Sequence, residues 1–257
     1  MADNDKNKTE PTVLDTGKET LRTVISALLI ALVIRTFAFE PFNIPSSSMV
    51  PTLLVGDFLF VSKFSYGYGS VGTFLGYVPF SGRIGGGEPH RGDVVVFKLP
   101  RDPSIDYIKR LIGLPGDTVQ MRQGILYING VPVERDRLEN PVPQPDGKAP
   151  DGATDYIEHL PQGPSHIIRK MGEDEPLDNT EVFSVPAHSY FFMGDNRDNS
   201  LDSRATKPTV AVGFVPEENL VGKAEFLFFS IDEHTHFWEF WTWPWTVRWN
   251  RLFTQIH

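Results

Sequence analysis

Hydrophobic and polar positions follow two different patterns along the chain. Residues 21–40 begin with "LRTVISALLIALVIRTFAF", an apolar run whose only charges are Arg22 and Arg35. A helix of this length is about long enough to cross the ~30 Å hydrocarbon core of a bilayer if the two arginines extend to its faces. We therefore predict a transmembrane anchor at 21–40, although a short apolar run near an N-terminus is also typical of a cleavable signal peptide.

The rest of the chain shows short runs rich in β-formers, separated by turn residues. Its 22 glycines and 21 prolines favour many short strands over helix bundles. The dipeptide Asn129-Gly130 between two such runs predicts a β-hairpin. We predict strands within 57–64, 91–100, 105–117, 118–134, 189–204 and 220–231, and an ordered loop or hairpin at 65–90. The fold class is therefore mainly β, a β-rich domain behind one N-terminal transmembrane helix.

Composition shifts divide the chain further. Residues 1–20 are polar and are predicted to be a disordered tail, and 41–257 form the main domain. Prolines and acids crowd 134–187, which we interpret as an inserted, loop-rich β subdomain. All five tryptophans lie in the tail 237–257, where they fit either a membrane interface or a packed C-terminal element covering the β core.

Charge and cysteine content exclude several functions. The formal net charge of −9 comes with no basic stripe, which argues against nucleic acid as a partner. Cysteine is absent, so disulfides, thiol catalysis and cysteine-based zinc sites are excluded. Lysines and arginines are more frequent before the apolar run than directly after it. The positive-inside rule therefore predicts a cytoplasmic N-terminus and a main domain outside the cytoplasm.

The stretch "PSSSMVPTL" (45–53) follows the anchor directly. Pro45 and Pro51 restrict the backbone at both ends, which is unlike a flexible linker. A serine hydroxyl needs a base to become a nucleophile, and the usual base is histidine. None of the seven histidines lies in a recognisable protease signature. The pair His234 and His236 fits two surface histidines better than a metal site, and no metal is expected.

Lysine is the other base to consider, and Lys109 in "DYIKRLIG" is unusual. Strand alternation places it on one face with Tyr107 and Leu111. Desolvation on that face would lower the pKa of Lys109 towards about 7–8, so that the neutral amine could act as a base. The alternative is an exposed strand lysine paired with an acid. A second charged segment, "GDNRDNSLDSR" (194–204), alternates acidic and basic residues. It fits either a solvated turn or a rigid corner of ion pairs.

These motifs together resemble the type I signal peptidases of bacteria. That family has a Pro-Ser-x-Ser-Met-x-Pro-Thr-Leu motif after its membrane anchor, and this chain has "PSSSMVPTL". Further family motifs appear in family order as "GDFLFVSKF", "RGDVVVFKLP", "DYIKRLIGLPGD" and "GDNRDNSLDSR". The resemblance spans roughly 21–231. Some members have two transmembrane segments where this chain has one, and the 134–187 insertion and the tail match no family motif.

The resemblance implies roles for individual residues. Ser48 is expected to be the nucleophile, Lys109 the general base, and Ser46 a partner of the Ser48 backbone N–H in the oxyanion hole. Ser200 is expected to orient the lysine. The charged residues expected to support the site are Asp195, Arg197, Asp202 and Arg204, and the apolar walls of the substrate pockets are expected at Phe42, Ile44, Met49, Leu53, Tyr107 and Ile108.

The resemblance also implies a function. It predicts an endopeptidase that removes signal peptides from exported precursors after small residues, at sites of the Ala-x-Ala type, through a Ser/Lys acyl-enzyme and without a cofactor. Its partners would be precursor proteins and the lipid bilayer of the bacterial cytoplasmic membrane, with the catalytic domain on the periplasmic side. Alternatives are a non-catalytic, membrane-anchored binding module, or another Ser/Lys peptidase of related fold, such as the self-cleaving repressors.

A lysine base must be neutral before it accepts a proton. A nearby unpaired carboxylate would keep it charged. We therefore expect the acids of 195–202 to be bound by Arg110, Arg197 and Arg204, away from the amine of Lys109.

Overall fold

A long helix precedes the β domain. The computed structural model describes residues 13–69, 83–144, 150–205, 211–235 and 238–257, so most of the predicted polar tail lies outside the described residues. Helix α1 spans Val13–Phe37, and its segment Gly17–Phe37 has a mean hydropathy of 1.8 with none of it buried by the protein. A bare apolar helix of 21 residues is long enough to cross a membrane. It ends before residue 40, because Phe39 and Glu40 already pair with the next strand.

Sixteen strands lie within the described residues. They are β1 Phe39–Asn43, β2 Asp57–Ser62, β3 Tyr68–Gly69, β4 Arg83–Ile84, β5 Val94–Leu99, β6 Asp102–Gly113, β7 Thr118–Arg122, β8 Ile125–Ile128, β9 Val131–Pro132, β10 Glu134–Arg137, β11 Thr154–His159, β12 Ser165–Lys170, β13 Phe183–Ser184, β14 Ser189–Met193, β15 Val215–Pro216 and β16 Leu220–Ser230. A short helix α2 spans Trp243–Thr246, and 3-10 turns span Ser47–Met49, Glu217–Asn219 and Trp249–Arg251. The mainly β fold is confirmed.

The largest sheet is antiparallel and has the order β1-β2-β16-β5-β6-β14-β15. Its central strand β5 is apolar at consecutive positions because both of its faces are covered. Val94 and Val96 pack into one hydrophobic cluster, while Val95 and Phe97 pack into another. Lys109 of the neighbouring strand β6 therefore lies on a sheet whose two faces are covered, and 45–53 forms the connection between β1 and β2.

Two smaller sheets pack beside it, with orders β13-β7-β8-β9 and β10-β11-β12. The hairpin predicted at Asn129-Gly130 is confirmed: both residues have positive φ, 53° and 77°, and they join β8 to β9. The three-stranded sheet lies within the predicted insertion. However, β13 pairs with β7, so the end of 134–187 belongs to a sheet that begins before it.

The outer face of β2 and β16 is aromatic. Along both strands buried residues alternate with half-buried phenylalanines, and these rings contact one another across the strands. The rings are those of Phe58, Phe60, Phe226, Phe228 and Phe229. Phe39 of β1 extends the aromatic surface toward the end of α1.

The Trp-rich tail is both packed and exposed. Val247 and Ile256 are buried, and backbone hydrogen bonds join Ile256 to Glu225 and Leu227 to Thr254. Trp243 is half-buried against Phe229, whereas the exposed large side chains of the tail are Trp238, Phe240, Trp241, Trp245, Trp249 and Phe253. The tail is thus fixed to the core and still presents an aromatic surface.

Candidate active site

Ser48 lies in the one-turn 3-10 helix Ser47–Met49 between β1 and β2. Backbone hydrogen bonds from Ile44 N to Asp57 O (2.8 Å) and from Gly56 N to Ile44 O (3.0 Å) close the base of this loop. Met49 is fully buried in the core and fixes the turn from below. Ser48 is itself 8% exposed, so its hydroxyl is sheltered but reachable.

Lys109 lies on β6, which pairs with β5 and β14, and its amine contacts Ser48. Its Nζ is 2.7 Å from Ser48 Oγ and 2.9 Å from Ile108 O, and it lies 5.1 Å from the centre of the Tyr107 ring. The lysine is 3% exposed. The alternative of an exposed strand lysine paired with an acid is therefore wrong.

The protonation of Lys109 follows from its surroundings. Burial lowers the pKa of the Lys109 amine to about 8, against the opposing effect of the Asp202 and Asp195 charges. A substantial fraction of the lysine is then neutral at mildly alkaline pH, and a neutral amine can accept a proton from the hydroxyl it contacts.

The other two serines named from the sequence are placed differently. Ser46 Oγ lies 3.4 Å from Ser48 Oγ, close enough to share a site with it. Ser200 lines the same cavity and is buried, but no hydrogen bond joins its hydroxyl to Lys109 in the part of the chain that the structure describes. Gly194 separates Ser200 from the nucleophile: a Cβ there would lie 2.3 Å from Ser200 Oγ and 2.5 Å from Ser48 O.

Two asparagines hold the serine turn in place. Asn196 donates its backbone N–H to Ser48 O (3.1 Å) and its Nδ2 to Ser47 O (3.0 Å). Asn199 Nδ2 donates to Ser47 Oγ at 2.9 Å. Neither asparagine was predicted from the sequence. Their position inside the charged segment 194–204 was the one signal available.

The charged segment forms buried ion pairs, as expected for a rigid corner. Asp195 accepts two hydrogen bonds from Arg110 (2.8 and 2.7 Å) and one from Thr52 Oγ1 (2.5 Å). Asp202 accepts two from Arg204 (2.9 and 2.8 Å). These partners hold the pKa of both carboxyls below the usual range, despite burial. Both acids are therefore charged but compensated.

The remaining pairs differ from our expectation. Arg197 binds Glu158 of β11 through both guanidinium nitrogens, and not an acid of its own segment. Asp198 binds Lys170 of β12 at 3.0 Å. The three-stranded sheet therefore supplies partners to the turn that carries Asn196 and Asn199. No sequence motif marks Glu158 or Lys170.

A cavity of about 600 Å³ opens over Ser48 and Lys109. Of the predicted pocket walls, Tyr107 and Ile108 line it. The other four do not: Ile44, Met49 and Leu53 are buried in the main hydrophobic cluster, and Phe42 packs against that cluster. Residues 175–177 and Leu201 line the cavity instead. The other four predicted residues pack into or against the core beneath the serine turn and therefore do not reach the cavity. Strand alternation alone does not predict this placement.

The histidine pair considered for metal lies partly outside the described residues. His234 is exposed and 3.6 Å from Glu233, and His236 is not among the described residues. Within the described ranges, no group of three or more histidine, aspartate or glutamate residues is arranged to hold a metal ion.

Comparison with known proteins identifies the family. The sequence profile of the family described as "Signal peptidase, peptidase S26" matches residues 17–229. Signal peptidase I of Rickettsia typhi is 42% identical over 88% of this chain and 84% of its own. The Rickettsia conorii protein of the same name is 41% identical over 90% and 85%.

A crystal structure of a signal peptidase I from Enterococcus faecalis covers 53% of this chain and 97% of its own, at 27% identity and a TM-score of 0.30. The family profile covers most of the chain, and it includes the segments that contain Ser48, Lys109 and the charged turn. Helix α1 fits a membrane anchor. The chain therefore belongs to the S26 signal peptidase family and is a membrane-anchored serine endopeptidase.

Proposed function

We propose that the protein cleaves signal peptides from precursors with Ser48 as nucleophile and Lys109 as general base. The observation that carries this proposal is the 2.7 Å approach of Lys109 Nζ to Ser48 Oγ in a buried site. A nucleophile and its base within hydrogen-bond distance are what acyl transfer requires.

The proton path follows from this contact. Neutral Lys109 takes the proton as Ser48 Oγ attacks the scissile carbonyl carbon, and the resulting tetrahedral oxyanion is bound by the Ser48 backbone N–H and the Ser46 hydroxyl. When the C–N bond breaks, the Lys109 ammonium returns its proton to the departing amine. A water then attacks the acyl-enzyme with Lys109 again as base. When the ester bond to Ser48 Oγ breaks, the Lys109 ammonium returns this proton to the serine oxygen, and the signal peptide leaves as a carboxylic acid that ionises in water.

We also propose that small side chains are selected next to the scissile bond. Tyr107 and Ile108 border the nucleophile, and the turn that carries Ser48 rests on filled core at Met49. The filled core leaves no room beneath Ser48, so the residue next to the scissile bond must fit on the cavity side, against Tyr107 and Ile108. Sites of the Ala-x-Ala type fit this arrangement.

The proposed topology places the N-terminus in the cytoplasm and residues 41–257, including the 134–187 insertion, on the outer side as a catalytic domain. The half-buried phenylalanines of β2 and β16 and the exposed tryptophans of the tail supply an apolar surface for the bilayer. Protease added to intact spheroplasts should digest the domain, whereas its protection would reverse the orientation.

The decisive experiment is cleavage of a precursor with an Ala-x-Ala site by wild-type protein and Ser48→Ala. We expect loss of cleavage and of labelling by an acylating serine probe in Ser48→Ala, with an unchanged circular dichroism spectrum. Ser104→Ala, an exposed serine on β6 remote from the dyad, is the matched control. Near-normal turnover in Ser48→Ala would refute the assignment, and absence of Ser48 labelling in the wild type would favour a non-catalytic binding module.

A further inference from the structure

One wall of the cavity over Ser48 comes from a segment that matches no family motif. Residues 175–177, in the predicted insertion, line the cavity together with Tyr107 and Ile108 of β6. Within this segment Leu177 is half-buried and contributes an aliphatic side chain.

This wall is rigid, because buried ionic contacts fix it. Asp178 accepts hydrogen bonds from Lys170 Nζ (2.5 Å) and from the Glu175 backbone N–H (3.0 Å). The same ammonium group binds Asp198, which lies in the turn that holds the nucleophile. One buried lysine therefore fixes both the wall and the turn at a constant spacing.

The side chains that this part of the cavity presents are largely apolar. Ile105 is 43% exposed and Leu201 48% exposed, and both line the cavity with Leu177. Covering such aliphatic surface with a ligand side chain is favourable in proportion to the area removed from water.

The charged side chains around them are occupied. Asp106 pairs with Lys98 at 2.9 Å, Arg197 with Glu158, and Asp198 with Lys170. The Glu175 carboxylate lies over Gly172 of its own loop: its Oε1 is 2.6 Å from the position that a Cβ on Gly172 would occupy. An apolar group entering between Ile105, Leu177 and Leu201 therefore displaces no ion pair.

We propose that Leu177, Ile105 and Leu201 form an apolar subsite for a further side chain of the precursor, separate from the small residue at the scissile bond. The inference rests on the proposed function, since the occupant is the polypeptide that Ser48 cleaves. The subsite is continuous with the cavity of the dyad, so its occupant lies within a few residues of the cleaved bond.

The test uses full-length protein in detergent and peptides with one Ala-x-Ala site. Each neighbouring position is varied in turn between Leu and Ser, leaving the two alanines unchanged. In the wild type we expect one position at which Leu raises kcat/KM by about tenfold over Ser. In Leu177→Ser this ratio should fall to near unity, whereas Val182→Ser, an exposed apolar residue outside the cavity, should keep it.

If Leu177→Ser does not fold by circular dichroism, Leu201→Ser provides the same test. An unchanged ratio in a folded Leu177→Ser or Leu201→Ser, or no Leu preference at any position in the wild type, would overturn the subsite. Failure of the proposed function gives a different result: no peptide is cleaved in a Ser48-dependent way.

Discussion

The Arg197 guanidinium, in the charged turn, binds the carboxylate of Glu158 on β11 of the three-stranded sheet. Nη1 donates to Oε1 at 2.8 Å, and Nη2 donates to Oε2. Both side chains are buried. His166 Nε2 lies 3.5 Å from the same carboxylate, and burial lowers the pKa of that imidazole to about 4, so it is neutral at neutral pH. The charge of Arg197 is therefore balanced by Glu158, close to the carboxylates that act on Lys109.

Glu158→Gln should shift the pH profile of cleavage. The substitution leaves the Arg197 guanidinium, which cannot deprotonate, without its carboxylate partner and close to Asp195 and Asp202. This positive charge offsets the two carboxylates that raise the pKa of Lys109, so the pKa of Lys109 falls further. We expect the acidic limb of kcat/KM to move to lower pH by about half a unit or more.

Asp155→Asn is the matched control, because Asp155 forms an equally buried two-pronged pair with Arg169 in the same sheet. It should reduce stability without moving the limb. A Glu158→Gln enzyme that is slower but keeps the wild-type limb would leave Glu158 with a purely structural role.

Activity should depend on the deprotonation of Lys109. With a pKa of about 8, kcat/KM should rise from pH 6 and level off above that value. Lys109→Arg should be as inactive as Lys109→Ala, because a guanidinium does not deprotonate. Measurable turnover by Lys109→Arg would transfer the base role to another group.

Lys109 should also lower the stability of the fold. Its pKa is near 8 when folded, against 10.5 for an unperturbed lysine, so the folded state binds fewer protons between those values. The destabilisation is fully present below pH 8, about 3 kcal/mol, and disappears as pH rises through the unfolded value.

Lys109→Met should therefore raise the free energy of unfolding at pH 7 by about 1–2 kcal/mol, after loss of the contact with Ser48 is allowed for. Denaturant titrations of the soluble domain at pH 7 and above pH 10 would measure this. A gain that does not diminish at high pH would indicate better packing, and not removal of a desolvated charge.

Gly194→Ala should inactivate the enzyme. The new methyl would overlap Ser200 Oγ and the Ser48 carbonyl oxygen, at 2.3 and 2.5 Å, and would push the nucleophile away from Lys109. A shift of this size costs about 10²-fold in kcat. Gly87→Ala, where the nearest atom lies 3.4 Å away, should retain full activity. Full activity in Gly194→Ala would mean that the serine turn can shift enough to accept the methyl group without separating Ser48 from Lys109.

The exposed tryptophans should bind lipid. Trp245 is 83% exposed and Trp241 60% exposed. Replacing both by serine should weaken partition of residues 41–257 into anionic vesicles by about tenfold or more, as judged by flotation. Val131→Ser, an exposed apolar residue on the remote hairpin β9, should change nothing. If the double variant floats with vesicles to the same extent as the wild type, the role of the tail is limited to packing against the core.

The sheet could be predicted because its strands obey local rules. The buried-exposed alternation of β2, the continuous apolar run of β5 and the turn at Asn129-Gly130 each have a sequence signature. The approach of Lys109 to Ser48 has none. It depends on the pairing of β6 with β5 and β14, and only the family resemblance brought the two residues together.

Other features depend on long-range packing and could not be predicted. Met49 and Leu53 belong to the serine motif at 45–53, but the structure buries them beneath Ser48, away from the cavity. Glu158 and Leu177 lie in a segment without motif or clear periodicity. They reach the site only because the three-stranded sheet and its adjoining loop pack against the charged turn.

The cluster that supports the serine turn includes Ile256 together with Met49. During synthesis, this core therefore remains incomplete until residue 256 has been made. The backbone bonds from Ile256 to Glu225 and from Leu227 to Thr254 form at the same late stage. The serine turn near the start of the domain therefore depends on the tail for part of its hydrophobic support, and a chain truncated before residue 256 would lack that part.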